Sequence, residues 1–402
     1  MSASIASRLS THIESPPALI LGDDPVNTLG VARNLGRNGV SVYRLGETES
    51  GVLGSRFIRS TWVISDVGDC SDARFIEHLK RIAKYIGAKP VLFPITDIHV
   101  LRVASNAALL SDNFLLLASD LATTETLVNK RLFFESLVKC GIPHPATLYP
   151  RGHSDFERAA AEIGYPVLLK PEISPLFAKK YKRKGFVAHD EKELFFHLRT
   201  LASSGIDVMV QEIIPGDGTC MHGCAGLRTA ANSITFCYRR VREFPPGFGC
   251  GSLLKSIPSI VDETRVLEYL EGIGYTGIFD AEFKLDPRDG IYKVIEINAR
   301  SWWQNLHPTI SGLNVIQAAY EYALGRPVER QDYRLNTKWI HLYNDYFAAQ
   351  DAGLGLLAWL RTIRGERAFD ILASDDVKPM ISYMTGILLR KLTKMFGIRN
   401  RV

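Results

Sequence analysis

Four side chains could share one piece of chemistry: Glu282, Glu296, Asn298 and Arg300. They lie on or just after two β-rich runs, Ile278–Leu285 and Ile291–Ile297, that flank the polar turn Asp286-Pro287-Arg288-Asp289-Gly290. Pro and Gly in that turn predict an antiparallel hairpin. Side chains alternate along a strand, so Asp280 and Glu282 share one face and Glu296 shares a face with Asn298. Pairing then brings Glu282 and Glu296 onto one side of neighbouring strands. Opposed carboxylates repel there, and a hard divalent cation is the partner that would relieve them. Mg²⁺ takes carboxylate and amide oxygens and keeps phosphate oxygens and water as its other ligands. Arg300 carries a fixed cationic fork suited to a phosphate or an oxyanion. The competing reading is a solvated hairpin whose acids face water.

The bulk composition sets the frame for this hairpin. The chain has 402 residues, 46% hydrophobic and 23% charged, enough for two or three domains and a sizeable core. A net charge of +5 tolerates anionic ligands. No aromatic-interleaved basic groove or nucleic-acid motif accompanies it, so no nucleic-acid partner is expected. Six cysteines stand at positions 70, 140, 220, 224, 237 and 250. Cys220-Met221-His222-Gly223-Cys224 is the only close cluster, and it lacks a second pair for a zinc site. Free thiols in a reducing cytoplasm are expected. Residues 1–17 are Ser-rich, read as a flexible N-terminus, and have no signal-peptide core. No run reaches the ~20 apolar residues that span a bilayer. A cytoplasmic protein follows.

The elements in chain order begin with a buried-type strand, Ala18–Gly22, a helical pattern through Arg37 and a strand at Val40–Leu45. Helix Asp72–Ile86, strand Pro90–Pro94 and strand Phe114–Leu117 continue the pattern into an open parallel α/β domain over residues 18–119. The first loop has Gly22 and Gly30 only, so the dinucleotide fingerprint is missing and an oxidoreductase reading is weak. A helix is expected over Thr124–Cys140, stopped by Gly141-Ile142-Pro143. Lys170 ends the apolar strand Val167–Leu169. The basic run Lys179–Gly185 reads either as a loop over anionic phosphates or as a solubilising surface.

Asp207–Ile214 is a strand, followed by strands at Cys220–Leu227 and Ser233–Val241. Arg239 and Arg240 cannot both point to one face of the latter. Helices are expected at Thr264–Gly272, Gly312–Leu324 and Leu354–Arg361. Residues 387–401 are apolar and basic with no acid. They suit an anionic membrane surface, a docking partner, or packing on their own domain.

Taken together these residues resemble the ATP-grasp superfamily over roughly Ala18 to Pro327, most closely its D-aspartate-ligase-like carboxylate–amine ligase branch. The run Val294-Ile295-Glu296-Ile297-Asn298-Ala299-Arg300, with Glu282 before it, is similar to the family's Glu-x-Asn-x-Arg metal segment. Lys130, Lys170 and Gln211-Glu212 precede it in the family's order. The resemblance implies an ATP-grasp domain over 120–330, with a lysine-bearing subdomain at about 120–210 and a metal-binding subdomain at about 211–330. A mainly helical extension over 331–402, ending in a basic amphipathic segment, would follow. It puts Lys130 and Lys170 on ATP phosphates and Gln211, Glu212, Ile213 and Ile214 along the adenine, with Asp217 near the ribose. It puts Glu282, Glu296 and Asn298 on Mg²⁺ (or Mn²⁺) and Arg300 at the transferring phosphoryl group. Arg240 and Arg242 become candidate anion contacts, and Asn27 with the Thr96-Asp97 loop would shape the acceptor pocket. The phosphate-covering loop departs from the pattern, since Glu172–Gly185 is long and Lys-rich.

The activity implied is ATP-dependent joining of a small-molecule carboxylate to an amine through an acyl phosphate. No protein nucleophile is needed, and no Ser–His–Asp or Cys–His signature stands out. The alternative is a non-catalytic ATP-binding regulatory protein of the same fold.

Overall fold

The computed structural model describes residues 15–117, 119–173, 177, 180–202, 204–260 and 262–395. A five-stranded, all-parallel sheet comes first, in the order Ile58–Val63, Val42–Gly46, Ala18–Leu21, Val91–Pro94, Leu115–Leu116. Ala18–Leu21 is fully buried, as the unbroken apolar run requires of a strand covered on both faces. The chain reverses its winding between this strand and Val91–Pro94. A crevice therefore opens beyond their carboxyl ends, the usual ligand position in such sheets. Two short loops line that crevice. Each ends in a residue that caps a helix: Asp24 accepts from the Asn27 N–H, and Thr96 accepts from the His99 N–H.

A second, antiparallel sheet of four strands runs Thr147–Leu148, Val208–Glu212, Val167–Pro171, Phe186–Ala188. Helices His153–Ile163 and Glu191–Ala202 close its core. The third sheet has seven strands in the order Tyr292–Asn298, Gly277–Leu285, Met221–Arg228, Ser233–Phe244, Cys250–Ser256, Lys338–Ile340, Arg367–Phe369. All of its pairs are antiparallel except the last.

Two features differ from the expected organisation. Residues beyond 330 do not stand apart, because Lys338–Ile340 and Arg367–Phe369 extend the large sheet and helices Leu342–Asp351 and Leu356–Thr362 cover it. Asp376 then reaches back to the first domain, accepting from buried Arg33 at 3.0 Å, the Ser55 hydroxyl at 2.7 Å and the Arg56 N–H at 2.9 Å. The helix expected over Thr124–Cys140 is two helices, Leu121–Val128 and Lys130–Lys139. Asn129 is extended between them, and its side chain caps the second by accepting from the Arg131 and Leu132 N–H groups. That break sets Lys130 in a first helical turn rather than mid-helix. Residues 1–14 of the expected flexible N-terminus, residues 174–176, 178 and 179 of the Lys-rich loop, and residues 396–402 of the basic end lie outside the described residues.

Candidate active site

The hairpin is present with the expected register. Gly277–Leu285 pairs antiparallel with Tyr292–Asn298, with Asp280 opposite Asn298 and Glu282 opposite Glu296. All four side chains line one cavity of about 330 Å³. Its other walls include Arg240, Lys184 and Arg300, with Asp24, Thr96, Asp97 and Trp303 on the side of the parallel domain's crevice. The site is therefore assembled where the large sheet meets the winding reversal of the first.

Each acid has a cation beside it. Lys130 Nζ lies 3.1 Å from Glu296 Oε2, and Arg240 lies 3.9 Å from Glu282. Lys130, with burial opposing and Lys170 and Lys184 assisting, holds the Glu296 carboxyl well below the usual carboxylate range. Asn298 Nδ2 donates to Glu296 at 3.4 Å, leaving its oxygen to accept from Arg300 at 3.1 Å. Arg300 also donates to Asp97 at 2.7 Å and to the Ser301 carbonyl at 3.1 Å. Its fork is thereby aimed by both domains at once. Two carboxylates and an amide oxygen on adjacent strands form a hard oxygen donor set, which fits Mg²⁺ or Mn²⁺.

Behind the acids sits a residue that strand alternation groups with Glu282 but whose surroundings only the fold reveals. Asp280 is 2% exposed and accepts from the Tyr238 hydroxyl at 2.7 Å. Burial first, and then Glu282, push its carboxyl up to about 8. Tyr238 reaches it across Gly223, where any Cβ would lie 2.2 Å from the phenol ring. Lys184 was likewise not singled out, since nothing in a run of five basic residues marks it; it is exposed, yet it lines the cavity.

Lys170 is 8% exposed and donates to Gln211 Oε1 at 3.5 Å, and Gln211 Nε2 donates in turn to Thr147 at 2.9 Å. Burial, then neighbouring Lys130, lower the Lys170 ammonium from its ordinary 10.5 to about 7. The sign of the consequence is fixed. Above pH 7 the folded, ligand-free chain leaves Lys170 neutral while the unfolded chain keeps it charged. This group therefore makes stability rise with pH between about 7 and 10.5. An anionic ligand on Lys170 restores the charge, so it binds with proton uptake. Anion affinity in calorimetry should fall by up to roughly tenfold per pH unit above neutrality. Lys170→Met should flatten that slope without lowering the ligand-free Tm.

The remaining candidates separate. Glu212 accepts from the Ala146 N–H at 3.0 Å and pairs with Arg288, while its own N–H donates to the Ala146 carbonyl at 2.8 Å. Ile213 and buried Ile214 continue from that strand. Asp217 caps a short turn, accepting from the Thr219 N–H at 2.8 Å. None of these lines the cavity; Glu212 ends the strand that carries Gln211, and Ile213, Ile214 and Asp217 follow it.

Arg240 lines the cavity, but Arg242 does not. A bulge between them breaks the alternation, and Arg242 makes a two-pronged ion pair with fully buried Asp345 at 2.8 and 2.7 Å. Arg242→Ala should therefore cost about 3 kcal/mol in denaturant unfolding. Asn27 is also committed elsewhere. It is 1% exposed, donates to the Ser301 carbonyl at 2.8 Å, and accepts from Ser301 at 2.7 Å and Asn305 at 2.9 Å. It fastens the first domain to the segment after the hairpin.

The three-sheet arrangement with a two-carboxylate hairpin is the organisation expected of an ATP-grasp fold. No family model matches the chain. The D-aspartate ligase of Enterococcus faecium (strain Aus0004) is 26% identical over 322 residues, covering 75% of each protein. The arginine-specific large chain of carbamoyl phosphate synthase from Cutaneotrichosporon cutaneum is 27% identical over 219 residues, which is 52% of this chain but 18% of that protein. Among solved structures, an L-amino acid ligase from Bacillus licheniformis superposes with a TM-score of 0.58 at 16% identity, covering 77% of this chain and 74% of that one. An ADP complex of N5-carboxyaminoimidazole ribonucleotide synthetase gives 0.62 at 14%, covering 79% of each. The biotin carboxylase domain of Hydrogenobacter thermophilus 2-oxoglutarate carboxylase, solved with MgADP and bicarbonate, gives 0.61 at 18%, covering 80% of this chain and 73% of that one. The chain is thus similar to carboxylate–amine ligases with the ATP-grasp fold.

Proposed function

We infer that the protein is an ATP-dependent ligase that activates a substrate carboxylate as an acyl phosphate and joins it to an amine, releasing ADP and phosphate. The observation that carries this reading is the cross-strand pair Glu282 and Glu296, with Asn298 and Arg300, in one cavity with Arg240 and Lys184. A divalent cation on Glu282, Glu296 and Asn298 would neutralise phosphate charge during transfer. Lys130 and Lys170 hold the phosphates, and the run Gln211–Ile214, at and just after the end of its strand, lies along the base, with Asp217 beyond it. Arg300, oriented by Asp97, stabilises charge on the transferring group. Arg240 and Lys184 offer the carboxylate an anion contact. Asp24 and Asp97, on the crevice side, offer the ammonium form of the amine its counter-charge.

Small-molecule carboxylates and amines are the partners of this site. A pool of both classes should release phosphate from ATP with an amide product. ATP binding without phosphate release from any pool would instead favour the regulatory alternative, against which retention of both acids already speaks.

Among the described residues no helix is long and apolar enough to cross a membrane. The helix Lys378–Met395 nonetheless leaves Ile381, Met384 and Leu388 exposed along one stripe, with Val377 exposed just before it, while the helix also packs on the turn Gly51–Leu53. No acid follows Asp376, whereas six basic residues do. An anionic bilayer surface, as at the inner face of a cell membrane, is the partner this combination suits. Co-sedimentation with phosphatidylglycerol vesicles, lost in Leu388→Glu, is the expected result. Equal recovery with neutral phosphatidylcholine vesicles, or none with either, would contradict it.

A further inference from the structure

We propose that Cys224, Cys237 and Glu263 form a binding site for a thiophilic divalent cation, Zn²⁺, on the face of the large sheet opposite the cavity. Cys224 lies directly across from Ala281, between Asp280 and Glu282 in register, so alternation turns its side chain away from the acids. Cys237 lies directly across from Cys224 on the next strand. The Cys237 N–H donates to the Tyr333 hydroxyl, and its carbonyl accepts from the Ile257 N–H. Both backbone groups thus point away from Cys224, which makes the two cysteines a non-hydrogen-bonded pair, the register in which facing side chains approach most closely.

Glu263, in the first turn of helix Asp262–Gly272, brings a carboxylate to the same point. Cys237 Sγ donates to Glu263 Oε2 at 3.7 Å, and the Ser259 hydroxyl donates to the same oxygen. The two sulfurs and a carboxylate oxygen all lie within 4.8 Å of one another. The cysteines are 0% and 1% exposed and Glu263 8%. Among the described residues no Lys, Arg or His pairs with that carboxylate. A dry carboxylate beside two thiols and without a counter-cation is costly as it stands.

The donor set states which cation would suit it. Tetrahedral zinc, with bonds of about 2.3 Å to sulfur and 2.0 Å to oxygen, holds its donors roughly 3.5–3.8 Å apart. Rotamer adjustments of the two cysteines would close the present spacing. Binding releases both thiol protons to solvent, and two thiolates and one carboxylate then face the ion. Mg²⁺ disfavours such sulfur ligands, so this site and the oxygen site on the other face of the sheet select different ions. Zinc here would tie strands Met221–Arg228 and Ser233–Phe244 to helix Asp262–Gly272, directly behind the strand that carries Asp280 and Glu282.

The test titrates the full-length reduced protein with Co²⁺ in excess Mg²⁺. One equivalent should produce sulfur-to-cobalt charge-transfer absorption that Zn²⁺ displaces. Cys224→Ser should lose the band, and Cys250→Ala, which removes the thiol lining the cavity, should keep it. No band in the wild-type protein, or a band that follows Cys250 instead, overturns the proposal. Should Cys224→Ser fail to fold, thermal melts decide the matter: Zn²⁺ should raise the wild-type Tm and leave that of Glu263→Gln unmoved, and equal shifts in the two overturn it.

Discussion

Glu296→Gln should lower ATP-dependent turnover by on the order of a thousandfold, with the circular dichroism of the native fold retained. The substitution keeps the side chain's shape and its hydrogen bond to Asn298 but removes one of the two charges that make the hairpin a cation site. In the ligand-free protein the same carboxylate is the counter-ion of Lys130, 3.1 Å away. Its loss leaves Lys130 and Lys170 facing each other with less compensation, so a fall in Tm of roughly a few degrees should accompany the lost activity. Near-normal turnover in this variant would remove Glu296 from the metal assignment. Glu282→Gln should behave alike in turnover with a smaller loss of Tm, because Arg240, 3.9 Å from Glu282, keeps its 2.7 Å pair with Glu243.

Arg300→Lys should cost about as much in kcat, on the order of a thousandfold, while changing the KM for ATP little. The guanidinium makes three directed contacts at once, to Asp97, Asn298 and the Ser301 carbonyl. A lysine ammonium can satisfy one of them but cannot hold a planar fork between the two domains. Asp97→Asn should produce a milder version of the same defect, because it loosens the aim of Arg300 without removing the charge. A variant that loses ATP affinity instead of kcat would make Arg300 a ground-state phosphate contact.

The hairpin was legible because its chemistry and its periodicity coincide. Alternation alone places Glu282 with Asp280 and Glu296 with Asn298, and the Pro-Arg-Asp-Gly turn fixes which strands meet. Helix Asp72–Ile86 was equally plain, with Ser71 to cap it and Gly87 to end it in the left-handed region. What the sequence hid was set by non-local contacts. The bulge that turns Arg242 onto Asp345 depends on a residue more than a hundred positions away and has no local signature. Asn27 is a polar residue in a loop-to-helix turn, and only the folded chain shows it buried against Ser301 and Asn305. The division of Thr124–Cys140 could have been seen, since Asn129 before a basic first turn is a capping signal inside an otherwise continuous helical pattern. Strands Lys338–Ile340 and Arg367–Phe369 are three residues each, too short for periodicity to declare.

Transfer of oxygen isotope tests the central claim most directly. A substrate whose carboxylate is labelled with ¹⁸O, turned over with ATP, Mg²⁺ and an amine, should deliver one labelled oxygen into the inorganic phosphate released, as attack of that carboxylate on the γ-phosphorus requires. Label recovered in AMP, or phosphate released without any label, would contradict carboxylate activation at the Glu282–Glu296 site.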